Sequence, residues 1–124
     1  MTDPATDVGT EEVARRLGQE GFVVLDVRSP GEYTGESVAP CDPRSGRIPG
    51  AVHLDLQELM GLTAQEIGER LGPASEVELV TYCHSGQRSE LAAEILRATG
   101  YHASNYRGSW HEWSRDESLP AELG

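Results

Sequence analysis

The stretch "FVVLDV" (Phe22 to Val27) carries apolar residues without a break up to Asp26. A strand with one wet face would alternate, so this run predicts a strand covered on both sides. "VELVTY" (Val77 to Tyr82) is a second such segment, and "AVHLDL" and "HASNY" are weaker ones. Segments with helical patterning lie between them: "LQELM", "TAQEIGERLG", "RSELAAEILRATG" and "GSWHEWSRD". Strands alternating with helices imply an α/β fold, a mainly parallel sheet with helices on both faces. A chain of 124 residues holds one such domain.

Local signals set the expected boundaries. Residues 1–9 read as a flexible N-terminal segment, 10–118 as the domain and 119–124 as a C-terminal tail. Thr10 is expected to cap the first helix, with Glu11 and Glu12 in its positive first turn. Thr63 and Glu66 have capping-box spacing, and Gly72-Pro73 stops that helix. In "RSELAAEILRATG", Leu91, Ala92, Ile95 and Leu96 are expected to form the core face. Trp110 and Trp113, three apart, are expected to pack one helical face on the core. Turn chemistry surrounds Pro30 and Gly31. The Gly- and Pro-rich "GESVAPCDPRSGRIPG" (Gly35 to Gly50) is a long irregular loop, which in a compact domain usually serves a function.

A net charge of −11 argues against nucleic acid and anionic membranes as partners. A small anion would need a locally positive pocket. "MTDPATDVGTEEVARR" lacks the apolar region of a signal peptide, and no apolar run would span a bilayer. A cytoplasmic location is therefore expected, with Cys41 and Cys83 as thiols.

"VTYCHSGQRSELAAEIL" (Val80 to Leu96) offers such a pocket. Cys83 ends a strand, where open α/β sheets place their binding sites. Gly86 permits a tight curl into the next helix. That curl aims several backbone N–H groups and the positive end of the helix at one point, which favours a thiolate at Cys83. Arg88 adds a planar cation suited to an oxyanion.

"CHSGQRS" resembles the active-site loop of the rhodanese-like sulfurtransferases. "VVLDVRSPGEY", "GRIPGAVHL" and "GSWHEW" resemble further family segments, in the same order, over about Thr10 to Arg115. The resemblance implies a rhodanese-like five-stranded sheet and a thiosulfate sulfurtransferase. Cys83 would be the nucleophile, carrying sulfane sulfur from thiosulfate or a related donor to a thiol or cyanide through a persulfide. His84, Ser85, Gly86, Gln87 and Arg88 would bind substrate, Arg88 at the sulfonate end or else by holding the loop's shape. Asp26, Arg28 and Ser89 would support the site, Asp26 and Arg28 as a structural ion pair. No cofactor is implied.

Other readings stand beside this one. A persulfide carrier or protein-interaction module in a sulfur-relay pathway would use the same loop. A phosphatase or arsenate reductase of the same fold is disfavoured, because its loop is one residue longer between cysteine and arginine. His84, His102 and His111 are expected at the surface and His53 is expected to be satisfied structurally. Cys41, His53, Cys83 and His84 lack recognised zinc-ligand spacing, so no metal site is expected. Cys41 reads as a passive loop thiol, with a disulfide to Cys83 or receipt of its sulfur as the alternatives. Arg107 could add positive potential.

Overall fold

The computed structural model describes residues 7–124. Five strands, β1 (Asp7–Val8), β2 (Phe22–Asp26), β3 (Val52–His53), β4 (Glu78–Tyr82) and β5 (His102–Tyr106), form one sheet in the order β1-β5-β4-β2-β3. All four ladders are parallel. Six helices connect them: α1 (Thr10–Arg16), α2 (Pro30–Thr34), α3 (Leu56–Met60), α4 (Ala64–Leu71), α5 (Gln87–Ala98) and α6 (Ser109–Trp113).

Two apolar layers cover the sheet, as the unbroken run at β2 requires. Leu25, Leu79, Cys83 and Ala103 face a layer completed by Leu59 of α3, Ile67 and Leu71 of α4, and Ala92, Ala93 and Leu96 of α5. Phe22, Val24, Val80, Tyr82 and Tyr106 face the other, with Val13 of α1 and Trp110 and Trp113 of α6. Both tryptophans are fully buried, and each indole N–H reaches a backbone carbonyl, Arg44 O at 2.9 Å and Pro120 O at 2.8 Å. Burial of rings this large contributes strongly to the stability of that face.

Strand order fixes where a site can form. From β2 the chain moves outward to β3, whereas from β4 it moves the other way to β5. The connections leaving β2 and β4 therefore part company above their carboxyl ends, opening a crevice at that point. Asp26 and Cys83 both stand there.

Several local expectations hold. Thr63 and Glu66 make the reciprocal capping box of α4. The turn at Pro30 is a helix, α2, capped by Ser29 through a second box with Glu32. Others need correction. Gly9, not Thr10, is the N-cap of α1, and no side chain caps it. The Thr10 hydroxyl is engaged instead by Tyr106 Oη and Glu112 Oε1, both at 2.6 Å. Leu91 is exposed; the buried face of α5 is Ser89, Ala92, Ala93 and Leu96. That stripe keeps helical spacing, and it is rotated so that Ser89 faces Cys83.

Of the N-terminal segment, residues 1–6 lie outside the described residues, while Asp7–Val8 pair with Asn105 and Tyr106 of β5. The tail also lies against the domain. Arg47 and Glu122 form an antiparallel bridge, and Gly124 N donates to Thr34 O.

Candidate active site

Cys83 follows β4 directly and is 1 % exposed. Its Sγ accepts hydrogen bonds from Gly86 N at 3.1 Å, Ser89 N at 3.4 Å and Ser89 Oγ at 3.4 Å. Burial raises the pKa of this thiol. Donors from the Ser89 hydroxyl and from the Ser89, Gly86 and Ser85 amides outweigh burial and hold it below its ordinary value. The site thus favours a thiolate, as the curl of "CHSGQRS" predicts.

Gly86 makes the curl possible. Its φ of +92° belongs to the left-handed region, and a Cβ there would stand 2.5 Å from Arg107 O. Both facts demand glycine. On the other side of the loop, Cys83 N donates to Ser109 Oγ at 3.1 Å, and that hydroxyl donates to Tyr106 O at 2.8 Å. Ser109 itself has a φ of +54°, a strained value for a non-glycine residue, at the start of α6. The backbone bonds Trp110 N to Cys83 O and His111 N to His84 O, each 2.9 Å, tie α6 to the loop.

Asn105 of β5 is a site residue that the sequence reading missed. Its Nδ2 donates to Gly86 O at 3.2 Å, which turns Oδ1 toward Ser89 Oγ, 2.6 Å away. One hydroxyl has one proton, so Asn105 and the Cys83 sulfur compete for it. The amides of Gly86 and Ser89 have no such rival and form the constant part of the cradle. "HASNY" gives no local sign of this role.

Arg88 lies at the loop's edge, held in a two-pronged pair with Glu32: Nη1 to Oε1 at 2.9 Å and Nη2 to Oε2 at 3.1 Å. Glu32 is tied in turn to Ser29 of the α2 cap. Burial raises the Glu32 pKa, but Arg88 and Ser29 overcome this and bring it to about 2. The cation is thereby largely neutralised. Of the two roles open to Arg88, binding an oxyanion and holding the loop's shape, this geometry serves the second. His84 is half-buried, whereas Ser85 and Gln87 are exposed at the rim. An open groove of about 400 Å³ runs beside Arg88, lined by Ser29, Asp55, Leu56, Gln57 and Met60.

Asp26 and Arg28 are buried and paired, with Arg28 Nη2 2.7 Å from Asp26 Oδ2 and donating also to Gly46 O at 2.7 Å. Tyr82 Oη donates to Asp26 at 2.7 Å and accepts from Ile48 N at 3.1 Å. The network fastens the long loop to the sheet. His53 Nε2 contacts Arg28 O at 2.7 Å and stacks on Tyr33, so it is satisfied structurally. Arg107 pairs with Asp7 at 3.1 Å.

The loop from Gly35 to Gly50 brings Cys41 and Asp42 to the mouth of the site. Along the sequence, Cys41, His53, Cys83 and His84 lack zinc-ligand spacing. The fold groups Cys41 and His84 with Asp42 and His111 instead, four potential ligand atoms within 4.8 Å of one another. His84 and His111 are therefore not plain surface side chains. Both Cys41 and Cys83 are free thiols.

A sulfur in a ring of amides that favour its thiolate, at the switch point of a parallel sheet, is suited to covalent chemistry on cysteine. The rhodanese-like domain model matches residues 9–116, and the chain belongs to that family. It is 37 % identical over 117 residues to a thiosulfate sulfurtransferase of Azotobacter vinelandii, covering 87 % of this chain and 42 % of the relative. A thiosulfate sulfurtransferase of Pseudomonas aeruginosa is 31 % identical over 122 residues, 91 % of this chain and 44 % of its own. The chain thus spans less than half the length of these two relatives. Among solved structures, a protein described as "Probable Thiosulfate Sulfurtransferase" superimposes with a TM-score of 0.80 at 38 % identity, over 98 % of this chain and 50 % of that one. An anaerobic ergothioneine biosynthesis enzyme from Chlorobium limicola superimposes at 0.81 and 27 % identity, over 98 % of this chain and 32 % of that one.

Among the described residues, no helix is long and apolar enough to cross a membrane.

Proposed function

We propose that this protein is a sulfurtransferase that moves sulfane sulfur from thiosulfate to a thiol or cyanide acceptor through a persulfide on Cys83. The observation that carries this reading is the cradle at Cys83 Sγ, where Gly86 N, Ser89 N and Ser89 Oγ converge on one sulfur. In the first half-reaction the Cys83 thiolate attacks the outer sulfur of thiosulfate. A Cys83–sulfur bond forms, the sulfur–sulfur bond of thiosulfate breaks, and sulfite leaves with its electron pair. In the second, the acceptor attacks the outer persulfide sulfur, and Cys83 departs as the thiolate it was. No net redox change at the protein is required. The same amides that stabilise the thiolate stabilise it again as the leaving group of the second step.

A persulfide carrier in a sulfur-relay pathway is the second reading, and one observation favours it. Arg88 is engaged by Glu32, so the loop lacks a free guanidinium for the sulfonate end of thiosulfate. A donor that arrives as a protein persulfide needs no such cation.

Intact mass separates these readings. The protein is exposed to thiosulfate, then to cyanide, with Cys83→Ala and Cys41→Ala in parallel. A gain of one sulfur atom that requires Cys83 and is removed by cyanide is the expected result. Loading from polysulfide but not from thiosulfate would sink the thiosulfate assignment and favour the carrier. No sulfur on Cys83 from either source would overturn both.

A further inference from the structure

The four side chains at the mouth of the Cys83 loop have a composition that persulfide chemistry does not use. We propose that Cys41, Asp42, His84 and His111 form a binding site for one zinc-class divalent cation. The site stands whether or not Cys83 carries sulfur, since Cys83 is not among its ligands.

His84 Nε2 lies 3.0 Å from Asp42 Oδ2, and His111 Nδ1 lies 3.1 Å from Asp42 Oδ1. Cys41 Sγ lies 3.7 Å from His84 Nε2 and 4.0 Å from His111 Nδ1. A tetrahedral zinc ion with bonds of about 2.0 Å to nitrogen and oxygen and about 2.3 Å to sulfur separates its ligands by roughly 3.3–3.6 Å. These contacts bracket that value, and all four ligand atoms lie within 4.8 Å of one another, so the side chains would draw in by up to about 1 Å to close round an ion.

Asp42 supplies an independent reason. Its side chain is 1 % exposed, yet Lys and Arg are absent from its ion pairs among the described residues; the two imidazoles stand beside it, and the Cys41 thiol donates to Oδ1 at 3.8 Å. Oδ2 has no hydrogen-bond partner, because the close His84 ring nitrogen is not aligned to donate to it. A buried carboxylate with an unsatisfied oxygen is costly unless a charge compensates it. The oxygen is aimed into the cluster. A cation there would satisfy it.

Charge and ligand type agree. One thiolate and one carboxylate with two neutral imidazoles carry two negative charges, which a divalent ion cancels. Sulfur and imidazole ligands suit zinc or cobalt and disfavour magnesium and calcium, which take oxygen. Four protein ligands fill a tetrahedral shell, the mark of a structural or regulatory site instead of one that activates water. Binding forms a sulfur–metal bond and releases the Cys41 proton to solvent, so affinity rises with pH.

The framework is already in place. His111 N donates to His84 O, which locks two ligand residues together. Arg115 donates to Cys41 O at 2.6 Å. Arg44 donates to the carbonyls of Trp113, Ser114, Asp116 and Leu119, pinning the loop just past Asp42 to the end of α6. Ligands held this way lose little freedom when the ion enters.

The test uses the full chain carrying Cys83→Ser, so that the cradle sulfur cannot take up metal. Co²⁺ is titrated in, and the visible ligand-field bands and the sulfur-to-cobalt charge-transfer band are read; Zn²⁺ is then added in competition. The expected result is one Co²⁺ per chain with a tetrahedral spectrum, displaced by Zn²⁺. Cys41→Ser should abolish the charge-transfer band, and His111→Ala should weaken Zn²⁺ binding at least about tenfold. Both positions are open to solvent, and circular dichroism of each variant checks that it is folded. Absence of a tetrahedral spectrum up to about 1 mM Co²⁺, or Zn²⁺ affinity unchanged in both variants, would overturn the site.

Discussion

The two cysteines of this chain are held in opposite ways. Cys83 is buried at the end of β4 and receives donors from its own following loop, within six residues along the chain. Cys41 is exposed on a long irregular loop, and the polar groups around it come from Asp42 and from His84 and His111, 43 and 70 residues away. The first arrangement lowers a thiol's pKa with the Ser89 hydroxyl and with the amides of Ser89, Gly86 and Ser85, and the amides remain when a side chain is replaced. The second assembles side chains that suit a cation. One loop favours a thiolate and the other gathers potential metal ligands, and the two meet at His84.

The largest expected effect tests that division. Cys83→Ala should reduce sulfur transfer by about a thousandfold or more, whereas Cys41→Ala should change it by less than about threefold, both read from thiocyanate formation with thiosulfate and cyanide. A comparable loss in Cys41→Ala would make Cys41 a participant and end the contrast. Next in size is the backbone of the cradle. Gly86→Ala should cost roughly 2–4 kcal/mol in denaturant unfolding, because it adds a clash with Arg107 O to the strain of a positive φ. Gly50→Ala, at a φ of +79° with nothing near its Cβ, should cost only about 1 kcal/mol. Equal costs at the two positions would remove the close approach as an explanation.

The side-chain donors give smaller changes. Ser89→Ala deletes one of the donors to Cys83 and should raise the thiol pKa. Alkylation by iodoacetamide near neutral pH should slow about threefold to tenfold, the worth of one hydrogen bond, and its pH profile should move to higher pH. Asn105→Ala frees the Ser89 proton for sulfur and should move the profile the other way. If both variants shift it in the same direction, the competition for that proton is wrong.

The smallest effect concerns Glu32. Its folded pKa of about 2 lies below the unfolded value of 4.5, so its ion pair contributes stability that is full above pH 4.5 and lost as pH falls toward 2. Arg88 is substantially exposed and solvent screens the pair, so Glu32→Gln should cost only about 1 kcal/mol at pH 7. The variant should also lack this part of the acid limb in urea unfolding. A wild-type-like limb would mean that Arg88 is free, and would restore it as a candidate oxyanion ligand.

Much of the fold, and the thiolate-favouring loop at Cys83, was legible locally. Continuous apolar runs need cover on both faces, and a glycine three residues after a strand-ending cysteine allows its loop to fold back on the sulfur. Both are short-range arguments, and both hold. The readings that failed were of neighbours set by packing. Leu91 belongs to a plausible apolar stripe, but α5 is rotated to bury Ser89 against Cys83, and Leu91 is left outside. Thr10 has the chemistry of a cap, but Tyr106 and Glu112 claim its hydroxyl.

By itself the sequence determined the layered α/β architecture, the position of Cys83 at a strand end and the need for glycine at position 86, since each follows from the periodicity or sterics of adjacent residues. Tertiary structure decided what the side chains of Arg88, Asn105, Asp42, His84 and His111 meet. Those partners are 16 to 70 residues apart and no local pattern encodes them. Only the parallel order of the strands and the path of the 35–50 loop bring them within hydrogen-bonding or ligating reach.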